Sequence, residues 1–343
     1  MSATRSGRSL NDPWQLAGLR VPNRVVLAPL AGIGNWFVRL QAKRYGAGLA
    51  VSEMVSSFAV HYGNRKTLDE LLTIHPDERV GGPVAVQLFG QDPEIMRSAA
   101  ATVARAGADI IDLNMGCPVP KVCKTGAGAA LLGDPEGAVA VARAAREGSG
   151  GLPVTVKLRA GRRPGEREGV DVAHRLVEEA GVAALGFHPR SAAVRHKGTP
   201  DYDLAAELVR SLPVPVIVSG GLDEPEHIRW VLEHTGAAAV MLASGSLGNP
   251  WLFAQLLDDD EHTPTRTEIL DELDWIVGCA EQHLGAERAA RYLRKFHPWY
   301  LSRLGEPRAT QAALQAATTL EEQREILRNL RYHAPPLASR AAA

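Results

Sequence analysis

The chain has 343 residues, 45% apolar and 22% charged, enough to bury a sizeable core and to exclude disorder as its main state. Its 33 Gly and 22 Pro against 5% aromatic residues predict many short elements joined by turns, not a long helical bundle. The net charge of −1 hides local imbalance: residues 1–50 carry seven Lys or Arg against one Asp, 256–283 nine acids against Arg266 alone, and 286–308 six bases against two acids. A nucleic-acid face is compatible with that neutral sum.

In chain order, eight apolar runs predict strands: Val25 to Pro29, Gly48 to Glu53, Val84 to Gly90, Ile110 to Asn114, Val154 to Arg159, Ala184 to His188, Val216 to Gly221 and Ala239 to Ser244. Runs this continuously apolar suit strands covered on both faces. Between them lie segments of helical period, two of which open on Asp92 and Asp134 at positions suited to an N-cap. Such alternation fits a doubly wound sheet or a (β/α)8 barrel. No G-x-G-x-x-G follows a strand and no P-loop motif occurs, so the eight regular units favour the TIM barrel. The charged stretch from Asp258 to Thr265 reads as a linker. Beyond it the pattern is helical only. The expected organisation is a barrel domain over residues 1–257 and a small all-helical C-terminal domain over 266–335, with frayed ends.

Three cysteines, Cys117, Cys123 and Cys279, argue against a disulfide framework and for a reducing compartment. No metal-site spacing is present, and no apolar run reaches the ~18 residues of a membrane span. A cytoplasmic protein without a metal or membrane partner is expected.

A barrel places its chemistry at the C-terminal strand ends. Seven of the eight predicted ends carry polar groups, among them Gln87, Asn114 with Cys117 beyond it, Lys157 with Arg159, and His188 with Arg190. Cys117 lies between Gly116 and Pro118, a poor setting for a core residue and a good one for a thiol that acts as nucleophile, acid or redox group. Cys279, in a helical run, and Cys123 read as packing residues. The glycines at 220, 221, 245 and 248 follow the seventh and eighth strands, where barrels often hold phosphate.

Together, LAPLAG, GLAVSEM, QLFG, D-x-N-M-G-C-P-x-x-K-V, GAALL, VTVKLR, FHPR, SGG and LGNPWLF, in this order, resemble the tRNA-dihydrouridine synthases, nearest the bacterial B-type branch. The resemblance covers residues 25 to about 255, and RKFHPWYL (Arg294 to Leu301) is similar to that branch's helical domain. It implies an FMN enzyme that uses NADPH to reduce a tRNA uridine to dihydrouridine, with Cys117 as general acid. Ala28, Pro29, Gln87, Asn114, Lys157, His188, Ser219, Gly220, Gly221, Ala243 and Ser244 would contact the flavin. Arg159 and Arg190, with Arg288, Arg291, Arg294 and Lys295 of the helical domain, would contact tRNA, and one RNA per chain suggests a monomer. Arg288, Arg291 and Lys295 share one predicted helix face, and the neighbouring aromatics read mainly as core.

Several positions depart from the family pattern. Ala243-Ser244 replace Gly-Arg and remove an arginine expected at the flavin phosphate. His188-Pro189-Arg190-Ser191 replace His-Gly-Arg-Thr, Ser219 replaces Asn, and Gly34 replaces Thr. Two alternatives stay open: an FMN-dependent reductase of a free pyrimidine, and a non-catalytic tRNA-binding paralogue.

Overall fold

The computed structural model describes residues 8–258 and 262–332, so part of the expected linker, the first seven residues and the expected frayed tail fall outside the described residues, whereas Leu10, within the start expected to fray, is buried and accepts from the Arg24 N–H. No strand is expected before Val25, yet a hairpin of β1 (Trp14–Leu16) and β2 (Leu19–Val21) comes first. Its turn places Ala17 (φ 47°) and Gly18 (φ 87°) at positive φ, the two-residue geometry whose twist matches paired strands. Three-residue strands are too short to show a period. Trp14, Leu16 and Val21 pack with Val26, Leu49 and Ile110, so the hairpin covers the N-terminal end of the main sheet.

That sheet consists of eight parallel strands closed into a barrel: β3 (Val25–Leu27), β4 (Leu49–Ser56), β5 (Val84–Phe89), β6 (Ile110–Met115), β7 (Val154–Arg159), β8 (Ala184–His188), β9 (Val216–Ser219) and β10 (Ala239–Leu242). Neighbours follow chain order around the ring, and β10 pairs with β3 to close it. The apolar runs are buried on both faces, as their composition requires. Helices Pro93–Arg105 and Pro135–Gly148 start where expected, with Asp92 accepting from the Ile95 N–H and Asp134 from the Gly137 N–H. These bonds satisfy donors that the first helical turn leaves open.

The described residues divide into two compact units, one running to Ser246 and resuming at Pro250, the other taking Leu247–Asn249 with the chain after 260. The second unit is helical throughout its described residues: Arg266–Leu284, Ala286–Leu293, His297–Arg303, Arg308–Ala316 and Leu320–Tyr332. Its long first helix opens on a capping box, Thr265 with Glu268. Leu273, Ile276, Leu293, Phe296, Tyr300 and Leu301 form its interior. Among the described residues, no helix is long and apolar enough to cross a membrane.

The loops that frame the barrel mouth are anchored by buried charge. Arg39 (1% exposed) donates Nε to Glu78 Oε2 at 2.7 Å and also bonds the carbonyls of Gly34 and Thr73. Glu78 (0% exposed) completes the tie by accepting from the His75 N–H. One ion pair thus holds the helix after β3 (Trp36–Arg44) to the segment before β5. Arg39→Met leaves Glu78 buried without its hydrogen-bonded cation, Lys43 alone remaining nearby, so the barrel's unfolding free energy should fall by about 3 kcal/mol, read as a lower urea midpoint.

Candidate functional site

Because all eight strands run the same way, their C-terminal ends share one rim, and ladder register decides which side chains meet there. Gln87 pairs with Asp112, Asn114 with Lys157, and Arg159 with His188. Gly186 sits beside Lys157, and a Cβ there would lie 3.2 Å from Lys157 Cγ, so the glycine leaves room for the lysine stem. Five of the expected positions (Gln87, Asn114, Lys157, His188 and Gly220) are brought to one mouth.

The thiol stands on a pinned loop. Asn114 Oδ1 accepts the N–H groups of Gly116 at 3.2 Å and Cys117 at 2.9 Å, and Asn114 Nδ2 donates to Gln87 Oε1 at 2.8 Å. Gln87 is fully buried and donates Nε2 to Asp112 Oδ2 at 2.6 Å. Burial pushes the half-buried Cys117 thiol above its ordinary pKa, outweighing the pull of Arg159 and Lys157. Cys123 donates its own thiol to the Cys117 carbonyl, so it braces the loop and is no mere packing residue.

Around the thiol the charge is overwhelmingly positive. Burial, then Arg159, lowers the Lys157 amine to about 8. His188 is buried and its imidazole is held neutral, first by burial and then by Lys157, Arg159 and Arg190. Arg190 Nη1 lies 3.4 Å from His188 Nε2, which assigns that nitrogen as acceptor and puts the ring proton on Nδ1. The turn after β9 lies against this imidazole: Gly220 (φ +98°) would bring a Cβ within 2.4 Å of His188 Nε2, and Gly221 (φ +73°) lies under Arg190 and Tyr202. Ser219 is buried, donating to the Phe187 carbonyl at 3.4 Å, and Ala28 is buried on a bond to Leu242. Pro29 and Ala243 are half-buried, whereas Ser244 is exposed and donates to Asp223 Oδ1 at 3.2 Å. A carboxylate therefore occupies the neighbourhood where the family pattern has an arginine. The glycine at 34 has a steric reason: a Cβ there would stand 2.8 Å from the Glu53 nitrogen.

Two arginines expected to touch RNA are placed otherwise. Arg159 is 4% exposed and donates to the carbonyls of Gly116, Ser191 and Arg195, so it ties the Cys117 loop to the loop after β8 instead of facing solvent. Arg294 bonds the Ala317 carbonyl and its Nε is buried without a partner, which turns it into the helical unit. Arg288, Arg291 and Lys295 remain exposed, Arg291 paired with Glu287 and Lys295 over the Tyr292 ring at 5.4 Å, although Lys295 falls just past the helix that carries the other two. The aromatics pack on one another, Tyr292 with Phe296 and Phe296 with Trp299, as a core should.

Sequence reasoning passed over Arg195, His196 and Lys197. They project from the loop that Arg159 holds, with Arg195 at φ 55° and all three exposed. Their signal was the run Arg190 to Lys197, which carries bases and no acid. Beside it a cavity of about 410 Å³ is lined by Pro118, Cys123, Arg162 and Arg195.

A closed parallel barrel with a pinned thiol and a buried cationic wall at its mouth has the layout of a barrel enzyme with its chemistry at the C-terminal strand ends. The family model "Dihydrouridine synthase (Dus)" matches residues 26–336, and the chain belongs to that family, whose members are FMN-dependent reductases. It is 39% identical over 299 residues to tRNA-dihydrouridine synthase B of Pseudomonas aeruginosa, covering 85% of this chain and 88% of that one. With the enzyme of the same name from Xanthomonas axonopodis pv. citri it shares 34% over 337 residues, covering 96% and 100%. Among solved structures it resembles morphinone reductase in fold, with a TM-score of 0.55 at 18% identity over 78% of this chain and 94% of that one.

Arg159→Met should release both loops that it joins. Amides of residues 191–198 are then expected to exchange about tenfold faster in deuterium-exchange mass spectrometry, while those of β6 stay protected.

Proposed function

We propose that this chain reduces a uridine of tRNA to 5,6-dihydrouridine, with FMN as its resident cofactor and NADPH as reductant, and that Cys117 delivers the proton. The single observation that carries this reading is a thiol pinned at the mouth and raised in pKa within a chain of this family. A thiol that stays protonated at neutral pH is the state a general acid needs.

The residues present fit an anionic, planar cofactor. Gly220 and Gly221 keep side chains out of a turn that lies against neutral His188, and Lys157 and Arg190 supply positive charge along the same wall. Arg190 is the guanidinium nearest that turn, so we assign to it the phosphate charge that Ser244 does not provide, in place of the tRNA contact expected from sequence. When bound, FMN supplies the hydride that reduces C6 of the uracil. Cys117 gives its Sγ–H proton to C5, and the thiolate recovers a proton from solvent. Asn114 holds the thiol loop and offers an N–H to a carbonyl oxygen.

A uracil reaches such a mouth only after leaving its stack, so the enzyme must hold the surrounding RNA. Arg195 and Lys197 of the barrel and Arg288, Arg291 and Lys295 of the helical unit offer exposed positive charge to phosphates, with the neutral His196 between the first two.

Three measurements test the reading. Incubating an unmodified tRNA transcript with the chain, FMN and NADPH should yield dihydrouridine on nucleoside analysis, and none is expected from Cys117→Ala, whose turnover falls by about 10²–10⁴; absence of product with the parent chain overturns the assignment. Because the acid must be protonated and burial raises its pKa, the fall in turnover that Cys117→Ser removes should lie on the alkaline side of the ordinary thiol range, as a pH–rate profile would show. Arg190→Ala should weaken FMN binding about tenfold in a fluorescence titration of apoprotein; a loss confined to tRNA affinity would return Arg190 to RNA contact.

A further inference from the structure

We infer that Asp112 is a positioning residue for Cys117, acting through Gln87 and Asn114 as the buried acceptor on which the hydrogen-bond chain between them ends. The inference deepens the proposed function, since it concerns how the same thiol is aimed. Thr155 donates to Asp112 Oδ1 at 2.5 Å, Gln87 Nε2 to Asp112 Oδ2, Asn114 Nδ2 to Gln87 Oε1, and the Gly116 and Cys117 N–H groups to Asn114 Oδ1. The links come from three adjacent strands and end on the thiol loop.

The chain admits one sense only. Peptide N–H groups cannot accept, so Asn114 has to turn Oδ1 toward them and Nδ2 toward Gln87. Gln87 answers with Oε1, which sends its own Nε2 inward to position 112. That position must therefore accept. A carboxyl satisfies this in either protonation state, because Oδ2 accepts from Gln87 whether or not Oδ1 shares a proton with Thr155. Burial raises the Asp112 pKa, and hydrogen bonds from Thr155 and Gln87, with the charge of Lys157, oppose the rise. With an acceptor at 112, Asn114 shows the mouth a second N–H, whose neighbour is the weak acceptor Met54 Sδ at 3.9 Å. Without that acceptor, Gln87 is left with a buried unpaired amide, and either it or the loop must shift.

The test uses purified full-length protein and two readouts: the rate of Cys117 alkylation by iodoacetamide, followed by mass spectrometry, and the split between kcat and tRNA KM. Asp112→Asn keeps an acceptor for Gln87 and can donate to Thr155, so its alkylation rate should stay within about threefold of the parent. Asp112→Ala removes the acceptor; alkylation should speed about tenfold as the loop loosens, and kcat should fall about tenfold with KM little changed. Should Asp112→Ala fail to fold, Gln87→Met cuts the chain one link later and must speed alkylation likewise. A parental alkylation rate in Asp112→Ala or Gln87→Met, or an Asn variant as impaired as the Ala variant, overturns the inference. Alkylation reports on the loop whether or not the chain reduces uridine, which keeps this outcome separate from that of the proposed activity.

Discussion

Two hydrogen bonds, from the peptide nitrogens of Gly116 and Cys117 to one carboxamide oxygen of Asn114, decide where the thiol of this barrel stands. A loop leaving a strand end has many conformations open to it, and fixing even one residue costs about 1–2 kcal/mol of backbone entropy. Here the cost is offset from both directions. Asn114 holds the loop from within the sheet, while Arg159 holds the Gly116 carbonyl from the neighbouring strand. The same arginine reaches Ser191 and Arg195, so the loops after β6 and β8 are ordered together and the thiol is fixed relative to His188.

That arrangement has an electrostatic consequence. Lys157, Arg159 and Arg190 converge on a buried imidazole, and Asp112 is the carboxylate that pulls back on Lys157. Burial first, and the like charge of Arg159 second, depress the pKa of Lys157, so positive charge is held here at a cost in free energy. An anionic group bound there relieves the repulsion. The cationic wall therefore selects for charge, whereas the glycine turn after β9 selects for shape, because only residues without a Cβ allow close approach to His188.

Much of this was legible from the chain alone. All eight barrel strands were visible because strands covered on both faces must be apolar throughout, and the polar residues that end them stand out for the same reason. Asn114, Lys157 and His188 stood out as polar residues at the ends of apolar runs, and Cys117 as a thiol in a Gly-Cys-Pro turn beyond one, while their roles came from the family resemblance. Asp112 belongs to the D-x-N-M-G-C-P motif but was given no role, because its role depends on partners on the two adjoining strands. The fate of Arg159 was hidden for a related reason: a strand-end arginine turns inward only if unpaired carbonyls wait for it, and those belong to a loop some thirty residues away. Arg294 follows the same rule with the Ala317 carbonyl. The β1–β2 hairpin was lost to length, because three residues cannot display a period.

The departures from the family pattern also gain a physical reading. Ser244 removes positive charge after β10, and the hydroxyl that replaces it is engaged by Asp223, so this side of the mouth cannot simply be repaired by a local cation. Arg190 stands beside Gly221, held by its two bonds to the Gly198 carbonyl. The family pattern has an arginine at position 190 as well, so charge is lost after β10 and not moved; Arg190 remains to attract an anion, because Coulomb interactions fall off slowly in a partly buried site. The geometry of the contact is another matter. A guanidinium already committed to a loop carbonyl and facing His188 has fewer N–H groups left for phosphate, so this chain should hold its cofactor by charge more than by bidentate hydrogen bonding.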